Sequence, residues 1–164
     1  MPEPTELASL FLRNFDLAML LTAVIFIVLH RYVDEKAKEG DMVFAWVSLF
    51  GLGMTSLYAF IIHFWFPALA AVTIGYSPSP YHTQVGFLNL IFALFAFAAF
   101  NADFGYRMAI AICSAFLLWT DVGAHIYEMV YTAQFTLGNA GSWLFTDFAI
   151  PLILLLCLPK LKLK

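Results

Sequence analysis

Five apolar runs, separated by short polar or proline-rich breaks, leave this chain few ways to fold. They cover about Asp16 to His30, Met42 to Phe66, Thr83 to Phe100, Arg107 to Tyr131 and Ser142 to Leu158. Most approach the ~20 residues an α-helix needs to cross ~30 Å of hydrocarbon, and the first is the shortest. Composition points the same way. Of 164 residues, 63% are hydrophobic and only 12% charged, with a mean hydropathy of +0.87. A water-soluble domain of this size cannot bury so much apolar surface, so the solvent around the helices is expected to be lipid. The expected fold is all-α: an integral membrane bundle of five transmembrane helices in a single domain, residues 1–164, with the bilayer as its first partner.

The breaks are distinct in kind. Arg31 to Asp41 is the most polar stretch and reads as a loop. Pro67 ends the second run because proline cannot continue the helical ladder without a kink. Pro67 to Ile74 is apolar but too short to span, and is expected as an interfacial turn or short surface helix. Gly75 to Pro80 reads as a rigid turn. Thr136 to Gly141 is expected as a loop, and Pro151 as a gentle break in the last run. The acidic stretch from Met1 to Asn14 lacks the basic region and cleavage site of a signal peptide, so the first run is expected to be retained.

Basic residues set an orientation. Arg31, Lys36 and Lys38 lie in the first loop, Arg107 in the third, and Lys160, Lys162 and Lys164 in the tail, while the second and fourth loops have none. The positive-inside rule then puts the N-terminus outside and the C-terminus in the cytoplasm of a cell inner membrane, with Arg13 as the exception. The net charge of −3 and the lack of any other basic tract disfavour nucleic-acid binding. Cys113 and Cys157 lack C-x-x-C spacing and read as small buried hydrophobes near the cytoplasmic ends of their spans.

Polar residues inside the runs gather at one depth. Asp121, His125 and Glu128 fall at i, i+4 and i+7 on one helix face. At ~1.5 Å per residue, Asp121 stands ~21 Å and His125 ~27 Å beyond Arg107, in the outer half. Asp147, His63, Gln84, Asn89 and Asp16 come out on the same side. Three small or polar stripes are expected to turn toward one another. They are Ala111, Ser114, Leu118, Asp121, His125, Glu128 and Thr132; His82, Gly86, Asn89, Ala93 and Ala96; and Gly53, Ser56, Phe60 and His63.

Ionisable groups at membrane depth mark function by default, against the plainer role of a polar network that pins helices together. The expected pocket draws ligand-binding residues from Asp121, His125, Glu128, Asp147, Asn89 and Gln84. A metal version uses His125, Asp121 and His63, a mixed donor set that suits zinc, iron or manganese, although no H-E-x-x-H signature is present. The same groups could hold a small-molecule headgroup or relay protons. A proton-coupled transporter, a homo-oligomer, or an accessory subunit gripping a membrane partner are the competing readings, and enzymatic activity stays open. His30, His63 and His82, each taken alone, read as interface or solvent-facing residues. Pro151 frees the backbone carbonyl of Asp147, for which a simple kink is the plainest account.

The segments Gly75-Tyr-Ser-Pro78-Ser-Pro80-Tyr-His82 and Gly86-Phe-Leu-Asn89-Leu90, with Gly123-Ala-His125, Gly138-Asn-Ala-Gly141, Asp147 and Pro151, resemble a family of small polytopic bacterial inner-membrane proteins of unknown function. That resemblance implies a polytopic membrane protein and lends no activity. In length and number of spans the chain is also similar to the tryptophan-rich sensory (translocator) proteins. It lacks their tryptophan-proline motifs and has only four Trp, so this likeness is one of architecture.

Overall fold

The structure, a computed structural model, describes residues 10–74, 77, 79–133 and 135–161. Glu3, Glu6, three positions of the proline-rich turn (75, 76 and 78), Lys162 and Lys164 lie outside the described residues. The elements are α1 (Phe15–Val33), α2 (Glu39–Trp65), α3 (Pro67–Ile74), α4 (Tyr81–Asn101), α5 (Phe104–Tyr131), α6 (Leu137–Ala140) and α7 (Ser142–Lys160). Five of them, α1, α2, α4, α5 and α7, are long and apolar enough to cross a membrane.

Several boundaries differ from the sequence expectation for local reasons. α2 starts three residues early because Glu39 and Asp41 fit its first turn, where carboxylates meet the positive end of the helix dipole. α5 starts at Phe104 because the side chain of Asp103 caps it, accepting from the backbone N–H of Tyr106 at 2.9 Å. Pro67 to Ile74 forms the short helix α3. The stretch expected as a loop from Thr136 to Gly141 contains the single turn α6. α7 continues through Pro151.

α2 sits at the centre of the bundle, the most buried of the five long helices. Its middle, Val47–Met54, winds as a π-helix, which the hydrophobic pattern does not announce. Ser48 Oγ donates to the carbonyl of Ala96 at 2.8 Å, and Thr55 Oγ1 donates to the carbonyls of Gly51 and Leu52. Two glycines make the wide turn fit. A Cβ on Gly51 would lie 3.5 Å from Ile150, and one on Gly53 would press 2.5 Å into the ring of Phe97.

Small residues join α2 to α4 as the stripes require. Gly53, Ser56 and Phe60 are buried on one side, and His82, Gly86, Ala93 and Ala96 on the other. The backbones approach closely at Gly86, where a Cβ would sit 3.3 Å from the backbone nitrogen of Phe64. The third stripe behaves differently. Ala111, Ser114 and Leu118 are buried, but α5 packs along α7 and barely touches α4. Trp119 Nε1 fastens that pair by donating to the carbonyl of Phe148 at 3.2 Å.

The core is shared by Phe44, Val47 and Leu52 of α2, Ile110 of α5, and Ile150, Leu154 and Cys157 of α7. Large apolar side chains also cover the outside, among them Leu21, Ile25 and Leu29 of α1 and Phe116 of α5. That is the surface a lipid-facing bundle needs. Cys157 is buried as expected, whereas Cys113 is exposed on α5, because it falls off the small-residue stripe and onto the outward face.

Candidate functional site

One end of the bundle carries the starts of α1, α4 and α7 and the ends of α2 and α5. Asp16 lies there with only 1% of its surface exposed. Both carboxylate oxygens are engaged: Ser142 Oγ donates to Oδ1 at 2.8 Å and Thr146 Oγ1 to Oδ2 at 2.7 Å. Asp16 thereby ties α1 to α7, and its hydrogen-bonding capacity is largely used. Beside that seam, Tyr58 of α2 stacks on Phe15 of α1 and on Trp143 of α7, whose Nε1 donates to the carbonyl of Arg13.

Asp147 sits one residue beyond Thr146 and is half-buried. Among the described residues it accepts no hydrogen bond. It lies within electrostatic reach of Asp121 and of Asp16, so α1, α5 and α7 each bring a carboxylate to the same region. Asp121 is exposed and is coupled electrostatically to His125, one turn further along α5. The Nδ1 of His125 lies 2.9 Å from the side-chain oxygen of the buried Asn139 in α6. An amide oxygen can only accept, so Nδ1 is the donor in this contact. The group therefore brings two carboxyl groups and an imidazole together.

The other predicted site residues go elsewhere. Glu128 accepts from Thr132 Oγ1 at 2.9 Å on its own helix. Asn89 donates to the carbonyl of Val85 at 3.0 Å, again within its helix, and Gln84 is exposed. The metal trio His125, Asp121 and His63 is not assembled. Among the described residues no group of three or more His, Cys, Asp or Glu side chains could hold a metal ion. His63 instead stacks on His82, with ring centroids 5.4 Å apart and their Nδ1 atoms at 3.3 Å. A single proton between those nitrogens makes one imidazole the donor and the other the acceptor.

His82, read from the sequence as solvent-facing, is instead buried at 3% exposure against His63, while Asn139 was given no role and Asp16 no named partners. His82 had a usable signal. α2 and α4 form an antiparallel hairpin over the short α3, so a histidine near the end of one and a histidine at the start of the other must meet. Weighing each alone hid this. Asn139 follows no periodicity, and only the fold carries it back beneath α5.

A cavity of about 290 Å³ opens at the opposite end, not among the carboxylates where the sequence placed a pocket. Its wall includes Arg107, buried and extensively bonded. Nε donates to the carbonyl of Ala99 at 3.0 Å, Nη1 to Asp41 Oδ1 at 2.9 Å, and Nη2 to the carbonyl of Phe100. The guanidinium also lies 5.2 Å from the ring centroid of Phe44. A second hollow of about 170 Å³ is wholly apolar, lying between α5 and α7 around Trp119 and Leu155.

A family model described as a family of unknown function (DUF6790) matches residues 13–162. It agrees with the resemblance to a family without assigned activity and adds nothing to the likeness with the tryptophan-rich sensory proteins. No curated protein and no solved structure matches the chain.

Proposed function

The chain belongs to the DUF6790 family, which has no assigned function, and we propose from its residues that it is a multi-pass membrane protein that binds a small amine or ammonium compound at its acidic end. The observation that carries this reading is Asp147: half-buried, without a hydrogen-bond donor among the described residues, and near two further carboxylates from other helices. No lysine lies in α1, α2, α4 or α5, the arginine of α5 is at the far end, and Arg13, just before α1, is the arginine described at this end and makes no ion pair among the described residues. A carboxyl group at membrane depth with no cation beside it takes up a proton or pairs with a cation that binds from outside. Asp121, Asp147 and the ring of His125 are the proposed contacts, and the two carboxylates accept. The ligand that fits them donates: a protonated amine. Asp16 acts through Asp147's surroundings by locking α1 against α7.

The proposed orientation has this end outside. Arg31, Lys36, Lys38, Arg107 and Lys160 all lie at the opposite end, which the positive-inside rule assigns to the cytoplasm. The ligand then arrives from the extracytoplasmic side. Thermal unfolding of the full chain in lipid nanodiscs, with a panel of primary and quaternary amines, tests the proposal. At 100 times its dissociation constant a bound amine adds about 2.7 kcal/mol of stability. The wild type should show that shift and Asp147→Asn should lose it. Identical responses from both proteins would count against the site.

A further inference from the structure

We propose that the cavity at the basic end binds a phosphate group, presented either by an anionic phospholipid or by a soluble phosphate compound. It lies where the α1–α2 loop, the α4–α5 turn and Leu161 meet, at about 290 Å³. That volume accommodates a phosphate and a small attached group.

Two carboxylates line the cavity, and each has a partner. Asp41 is paired with Arg107 at 2.9 Å, and Asp103 accepts the backbone N–H of Tyr106 at 2.9 Å. Two donors do not. Lys38 is exposed on the lining and has no ion-pair partner among the described residues. His30 also lines the cavity, and its Nδ1 accepts from Trp46 Nε1 at 3.0 Å. The neutral imidazole therefore carries its proton on Nε2, free to donate. Arg107 has further N–H groups beyond the three it uses, and it stands fixed by the Ala99 and Phe100 carbonyls. A tetrahedral oxyanion with several acceptor oxygens matches Lys38, His30 and Arg107 together.

The setting strengthens the match. Lys160, whose Cβ and carbonyl lie beside Gly40, is at the same end of the bundle. Basic pockets between membrane helices on the cytoplasmic side are a recurring way to hold phosphorylated lipid headgroups.

Native mass spectrometry of the full chain, purified in mild detergent and offered phosphatidylglycerol or phosphate-free diacylglycerol, reads the site directly. The wild type should retain phosphatidylglycerol at least fivefold better than diacylglycerol, and Lys38→Gln and His30→Phe should each lose most of that preference. Ser79→Ala, at the other end, should keep it. Lys38 is exposed, so Lys38→Gln should melt like the wild type, and its loss of lipid would then reflect binding. A second arm adds millimolar inorganic phosphate. If phosphate alone raises the melting temperature of the wild type but not of Lys38→Gln, the natural source is soluble; if only phosphatidylglycerol is held, it is a lipid. The proposal is overturned if neither probe is preferred, or if both variants bind as the wild type does.

Discussion

His63 and His82 show how much one contact depends on its neighbour. His82 is 3% exposed and its Nδ1 faces the Nδ1 of His63 at 3.3 Å. Removing one ring leaves the other with a buried polar nitrogen, a loss of about 1–3 kcal/mol. Removing both leaves no orphan. The double variant His63→Ala/His82→Ala should therefore be less destabilised than the sum of the singles, by about 1 kcal/mol in a thermal-unfolding cycle. Strict additivity would show that the pair does not interact. The residue scale was only partly legible in the sequence. The helix face shared by Asp121 and His125 follows from spacing. The bonding of Asp16 to Ser142 and Thr146 joins residues some 130 positions apart, and no local pattern encodes it.

Among the elements, α2 concentrates the constraints. Its N-terminus meets the end of α7 so closely that a Cβ on Gly40 would lie 2.5 Å from Lys160 Cβ and 2.8 Å from the Lys160 carbonyl oxygen. Backbone cannot swing aside as a side chain does. Gly40→Ala should cost about 1–3 kcal/mol and loosen the segment around Leu161, seen as faster hydrogen exchange there. Gly53→Ala meets the Phe97 ring instead, which can rotate, so its cost should be smaller. Arg107→Met tests the other anchor. It leaves Asp41 and two helix-end carbonyls without their donor, and breaking such a pair costs about 3–5 kcal/mol. A melting temperature equal to the wild type would contradict that role. Helix existence was readable because five apolar runs of spanning length have few alternatives. The pairing of α5 with α7 was not, because a small-residue stripe says that a helix has a partner without saying which.

The whole molecule has two chemically opposite ends. One gathers Asp121, Asp147 and His125, and the other gathers Lys38, His30 and Arg107 around a cavity. Charge along the sequence made this polarity legible, since the lysines and arginines alternate between loops. The cavity was not legible, because three separate polar segments build it. The proposed orientation makes a direct prediction. In a cysteine-free background, Ser79→Cys should react with a membrane-impermeant thiol reagent on intact cells, and Lys36→Cys only after the membrane is opened. The reverse pattern would invert the topology. The most direct test of the account is calorimetric titration of the most stabilising amine into the nanodisc-embedded protein, comparing wild type with Asp147→Asn. One site per chain is expected, with an affinity at least tenfold weaker in the variant, about 1.4 kcal/mol. Equal affinity in the two proteins would contradict it.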